Sequence, residues 1–183
     1  MTDVDRTIGN EVLTSAAGAV LTVLLAAEGF TLLGLHQMLS AHMFIGLLLV
    51  PPVALKLAST GYRFARYYTG SPVYREKGPP VIWLRLLAPL LVAMTVVVIA
   101  SGIALMAVGH RSGLLLQIHK VSFIVWGATF AVHFLAHLPR MLRSIARRAV
   151  PGAAARFAAV AAAVAAGVAV AVAMLPEIDG WSR

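Results

Sequence analysis

Three features predict an all-α integral membrane protein: five long apolar stretches, charge confined largely to the segments between them, and ionisable residues at matched helical spacing within two of the stretches. Of the 183 residues, 60% are hydrophobic and 12% charged, and mean hydropathy is +0.88. A soluble domain of this size needs a polar surface that such a composition does not supply. The chain has no cysteine, which excludes disulfides, thiolate metal ligation and iron–sulfur or zinc–thiolate sites. Its net charge is +8, but the basic residues concentrate in two inter-stretch segments, which argues for membrane topology and against nucleic acid as a partner.

The apolar stretches run over about 12–35, 40–61, 81–108, 114–138 and 153–175. Each reaches the roughly 20 residues that a helix needs to span a bilayer, and in lipid such segments must be helical because unpaired backbone groups find no water. The whole chain, 1–183, reads as one membrane domain. A few residues around His36 join the first two stretches, which predicts an antiparallel hairpin. Pro51 and Pro52 are expected to kink the second helix and Pro89 the third, and Pro139 is expected to stop the fourth. The fifth stretch, AAAVAAGVAVAVAML, has no polar side chain and is expected to pack peripherally on the other four through small residues. The tail 176–183 is expected to be short, polar and exposed.

Orientation follows from charge. One basic segment carries Arg63, Arg66, Arg75 and Lys77, with Arg85 just inside the next helix; the other carries Arg140, Arg143, Arg147 and Arg148. Positive-inside bias places both in the cytoplasm, with the N-terminus inside and the C-terminus outside the cytoplasmic membrane. The N-terminal MTDVDRTIGNEV lacks the layout of a signal peptide, so the first stretch is expected to be retained as a membrane helix.

Within this frame His42 precedes Lys56 by 14 residues on the second helix, and His119 precedes His133 by 14 on the fourth. Fourteen residues is close to four turns, so each pair shares a face at about 21 Å separation along the axis. Ionisable groups inside lipid-embedded helices are costly and mark functional sites by default. His42 and His119 both enter from the outer side at similar depth, which suits a haem held between two neutral imidazoles on facing helices. The plain alternative for either histidine is a polar role at the interface.

At the inner level His133 faces Lys56, and two readings stand. A neutral lysine amine can bind iron, or Lys56 snorkels to the interface and pairs with a haem propionate. His137 follows His133 by one turn and is expected to support it or to meet a propionate. Glu28, inside the first helix, is expected to orient His42, to accept protons from a quinol, or to sit partly hydrated in the bundle. His36 and His110 lie at the outer loops, where they would line a quinone or partner site or simply face the surface. Arg63, Arg66 and Arg140 are placed for propionates or an anionic partner. Gly46, Gly102 and Gly127 would let a flat macrocycle approach the backbone, or serve helix packing. HFLAH lacks the glutamate of a zinc-protease helix, so hydrolysis is disfavoured.

The segments LHQMLSAHMFIGLLLVPPVALKLASTGYRFARYYTGSPVYREKGPP and HKVSFIVWGATFAVHFLAHLPR resemble actinobacterial b-type cytochrome membrane proteins and, more broadly, the cytochrome b561 type and the di-haem membrane subunits of oxidoreductases. The resemblance covers about 12–143. It implies a four-helix bundle holding two haems B, with His42 and His119 as the outer iron ligands and His133 as one inner ligand. It further implies electron transfer between quinone and a soluble or membrane redox partner, as an oxidoreductase subunit more than a self-sufficient enzyme. Lys56 departs from the histidine that this pattern has at the fourth position, leaving His/Lys ligation, a five-coordinate inner haem or a single-haem protein open. Two other classes compete: a proton- or ion-conducting transporter using Glu28, Lys56 and the histidines as a relay, and a structural subunit of a membrane complex.

Overall fold

Apolar sequence and helical structure coincide along nearly the whole chain. The computed structural model describes residues 3–76, 82–108, 112–146 and 152–181. Among them are seven α-helices and no strand: α1 Asp3–Thr31, α2 Leu35–Tyr68, α3 Pro72–Glu76, α4 Ile82–Val108, α5 Gly113–Ala146, α6 Ala153–Ala173 and α7 Leu175–Trp181. Four stretches of the described residues are long and apolar enough to cross a membrane: Gly9–Tyr68, Ile82–Val108, Gly113–Pro139 and Ala153–Ala173.

The first of these stretches is 60 residues long and contains most of α1 and all of α2, which fold back on each other. A 3-10 turn over Leu32–Gly34 ends α1, and Met38 (φ −111°, ψ 16°) breaks the helical path once more before α2 runs on. Polar side chains zip the resulting antiparallel pair along its length. Thr31 Oγ1 lies 3.1 Å from His42 Nδ1, Lys56 Nζ donates to the Thr14 carbonyl at 2.6 Å, and Asn10 Nδ2 donates to the Ser59 carbonyl at 3.1 Å. Such bonds hold helices together where lipid provides no hydrophobic drive.

α4 and α5 form the second antiparallel pair, joined by Trp126 Nε1 donating to Thr95 Oγ1 at 3.0 Å. Phe123, Trp126, Phe130 and Phe134 stack successively along α5, with ring centroids 4.8–6.0 Å apart. α1 packs against α2 and α5, and α4 packs against the same two, so α2 and α5 occupy opposite corners without extended backbone packing between them. α6 lies along α2 and α1 as the small-residue pattern predicts. Gly167 meets the Leu48 backbone so closely that an added Cβ would fall inside the van der Waals envelope of its carbonyl oxygen. Val160 packs with Ala16 and Ala17 further along.

Little of this surface suits water. Leu33, Leu86 and Leu114 are 83%, 71% and 70% exposed, and most apolar side chains of α4 and α5 point away from the protein. Exposed apolar area on this scale marks a surface made for lipid or partner helices.

Three expectations are corrected. Pro139 does not stop its helix: α5 continues to Ala146, because a proline removes only one main-chain bond, that to the Leu135 carbonyl, and flanking turns carry the helix past it. α2 likewise extends to Tyr68, beyond the apolar stretch, so Arg63, Arg66 and Arg143 sit on helical extensions and not in loops. The tail is not a free polar segment. It forms α7, whose Ile178 is 1% exposed and joins Met43, Leu47 and Leu48 in the core, while Trp181 Nε1 donates to the Met106 carbonyl at 3.2 Å. The pattern P-E-I-D-G-W hides this because a single isoleucine and a single tryptophan do all the burying.

Candidate functional site

His42 begins the regular part of α2, and His119 lies in the second turn of α5. Their rings come together at the corner-to-corner gap between these helices, with centroids 6.4 Å apart and planes at 82°. Two turns of local chemistry set each ring. Thr31 donates its hydroxyl to the Glu28 carbonyl, which leaves its oxygen free to accept from His42 Nδ1 at 3.1 Å. The Glu28 carboxylate accepts from the same Nδ1 at 2.9 Å. On the other side His119 Nδ1 lies 3.0 Å from the Val98 carbonyl and 3.1 Å from Ser101 Oγ, and Ser101 in turn donates to the Val97 carbonyl at 2.6 Å. With only acceptors around them, both Nδ1 atoms carry the proton, and each Nε2 keeps its lone pair for a ligand. Metal-binding histidines are held by the same device.

Gly102 admits the His119 ring: a Cβ there would lie 3.1 Å from His119 Cε1. α7 closes one side, since Ile178 packs on Met43, the residue after His42, and Trp181 reaches the end of α4.

A metal about 2.0–2.1 Å from each ring nitrogen sets two opposed imidazole centroids roughly 6 Å apart; the His42 and His119 centroids lie 6.4 Å apart. No group of three His, Cys, Asp or Glu side chains able to hold a metal ion exists among the described residues. A macrocycle that brings its own four equatorial nitrogens needs only the axial pair, and these residues fit that demand.

The inner level is built differently. Lys56 Nζ turns to α1, where it donates to the Thr14 carbonyl and sits against Gly18. His133 stacks on His137 with centroids 4.3 Å apart and planes at 13°, and His137 Nδ1 donates to the His133 carbonyl at 2.9 Å. His133 Nδ1 is buried without a hydrogen-bond partner among the described residues. The predicted partners at this level thus face different neighbours in the structure: Lys56 the first helix, His133 its own helix.

The remaining predicted residues are dispersed. His36 is exposed near the start of α2. Arg63 Nη2 lies 3.9 Å from Glu11 Oε1, and Arg66 keeps a buried Nε with no partner among the described residues. His110 and the side chain of Arg140 lie outside the described residues. Tyr62, Tyr67, Tyr68 and Tyr74 surround this end of the molecule, with Arg85 Nη2 donating to the Tyr68 hydroxyl at 2.6 Å, as interfacial aromatics do. Sequence reasoning missed Thr31, Val98 and Ser101 as partners of the histidines. The Ser101–Gly102 pair inside an apolar helix is the one signal that could have pointed there.

Comparison of this chain with protein-family models, with curated proteins and with solved structures gives no match.

Proposed function

We propose that this chain is a membrane b-type cytochrome whose His42 and His119 hold a haem B and which exchanges electrons with quinone, with a redox partner protein, or with both. The observation that carries the reading is the histidine pair itself: two imidazoles from opposite corners of the helix arrangement, 6.4 Å apart, each with Nδ1 engaged. A haem bound there would supply reversible one-electron chemistry. The chain's own task is to hold, orient and shield. His42 and His119 present Nε2 lone pairs; Glu28, Thr31, Val98 and Ser101 fix the ring planes; α7 and the apolar faces of α2 and α4 keep water from the site, which favours the less charged state of any buried group.

The proposal includes five membrane spans, with α1 and α2 crossing separately as the antiparallel pair, and the basic end of the molecule in the cytoplasm. It extends to a second haem at the inner level, with His133 as ligand; Lys56 would serve as its partner only after losing its proton.

The test is the optical spectrum of the purified protein with haem counted per chain as pyridine haemochrome. A bis-histidine b-type spectrum is expected, lost in His42→Ala and in His119→Ala. One haem per chain assigns the outer site alone, and two include the inner level. A colourless protein from haem-replete cells sinks the reading in favour of a transporter or scaffold.

A further inference from the structure

The two candidate axial histidines are held by unlike partners. His119 Nδ1 meets only neutral acceptors, the Val98 carbonyl and Ser101 Oγ. His42 Nδ1 meets a carboxylate oxygen of Glu28 at 2.9 Å in addition to Thr31 Oγ1. The Glu28 side chain is 14% exposed and its second oxygen, Oε2, is buried with no hydrogen-bond partner among the described residues. A carboxyl group within an apolar helix is expensive, and Thr31 already supplies an acceptor that would hold the ring. Orientation alone therefore does not account for an acidic side chain at this position.

Resting on the haem reading above, we propose that Glu28 is a positioning residue that directs negative charge onto His42, making it the stronger donor of an unequal axial pair and biasing bound iron toward the ferric state. The physical basis is the carboxylate–histidine–metal arrangement, in which a carboxylate on the far ring nitrogen fixes the tautomer and raises the basicity of the ligating one. A more basic imidazole stabilises the higher-charged metal more than the lower-charged one. The proton stays on Nδ1 throughout, shared toward Glu28, and no bond to carbon or oxygen is made or broken.

Glu28→Gln separates charge from position, because glutamine keeps the chain length and a carbonyl acceptor for the Nδ1 proton. Potentiometric titration of the holoprotein is expected to show the ratio of ferric to ferrous haem affinity falling about tenfold in Glu28→Gln, a rise of about 59 mV for one electron. Thr95→Val, which removes a neutral polar partner of Trp126 away from both histidines, is expected to keep the wild-type potential. An unchanged potential in haem-loaded Glu28→Gln, or an equal shift in Thr95→Val, overturns the proposal. Nitrogen-15 spectra of the apoprotein supply a readout that needs no haem: His42 is expected as the Nδ1–H tautomer in the wild type, and the Nε2–H tautomer there would also overturn it. A wild type that takes up no haem fails at the earlier step, removing the cytochrome reading and this inference with it.

Discussion

Replacing Lys56 by methionine distinguishes a lysine that anchors two helices from one that binds iron. The perturbation removes one bond, that from Nζ to the Thr14 carbonyl at 2.6 Å. A hydrogen bond with a charged partner contributes about 1.5–3 kcal/mol net. Against this, a lysine inside an apolar span costs up to about 2.5–3.5 kcal/mol, the value at the centre of the span, a cost that methionine does not incur. Thr14 is not orphaned, because its carbonyl retains the helical N–H of Gly18, and the flexible thioether follows the same path as the lysine stem. The net effect of Lys56→Met then runs from about 3 kcal/mol destabilising to about 2 kcal/mol stabilising. Equilibrium unfolding in mixed micelles, followed by far-ultraviolet circular dichroism, measures it, with haem counted on the same sample. A loss above about 3 kcal/mol at unchanged haem content would refute the reasoning, since the bond would then be worth more than its class allows. A drop of one haem per chain would make Lys56 an iron ligand.

Gly102→Val puts branched carbons where a Cβ already lies 3.1 Å from His119 Cε1, so the ring must turn; haem retention is expected to fall at least about tenfold, read as pyridine haemochrome after washing, with secondary structure unchanged. Gly167→Ala forces α6 off the Leu48 backbone. Overpacking of this kind costs about 1–3 kcal/mol, and the thermal midpoint in detergent is expected to drop accordingly. Ile178→Ala empties the 1%-exposed anchor of α7, at about 2–5 kcal/mol. Limited proteolysis should then release the tail while the remaining helices stay protected.

The helices and the hairpin were readable from the chain, because apolar length responds to one dominant constraint, the bilayer. What sequence could not deliver depends on where side chains turn. Helical spacing put Lys56 and His133 at one depth, yet spacing fixes only Cα positions. A glycine at position 18 and a carbonyl at Thr14 were enough to draw the ammonium to α1. The partners of His119 escaped notice for a related reason: a backbone carbonyl such as that of Val98 has no sequence signature. α5 runs past the end that Pro139 predicts, because in an extended helix a proline deletes a single bond. α7 was missed because seven residues with two apolar anchors look like a polar tail.

The two levels differ through the first helix. Glu28 follows Thr14 by the same 14 residues that separate His42 from Lys56 and His119 from His133, so the α1–α2 hairpin sets Glu28 opposite His42 and Thr14 opposite Lys56 in one register. At both levels α1 therefore supplies the acceptor and α2 the donor. With a carboxylate on α1 and an imidazole on α2, the donor has a second nitrogen left over, and that nitrogen is free to face α5. With a carbonyl on α1 and an ammonium on α2, the lysine nitrogen is drawn to α1, and any further bond it makes starts from that same atom. A histidine can brace one helix while serving another because it has two ends; a lysine has one. What each level can offer across to α5 thus depends on the side chain that the hairpin engages first.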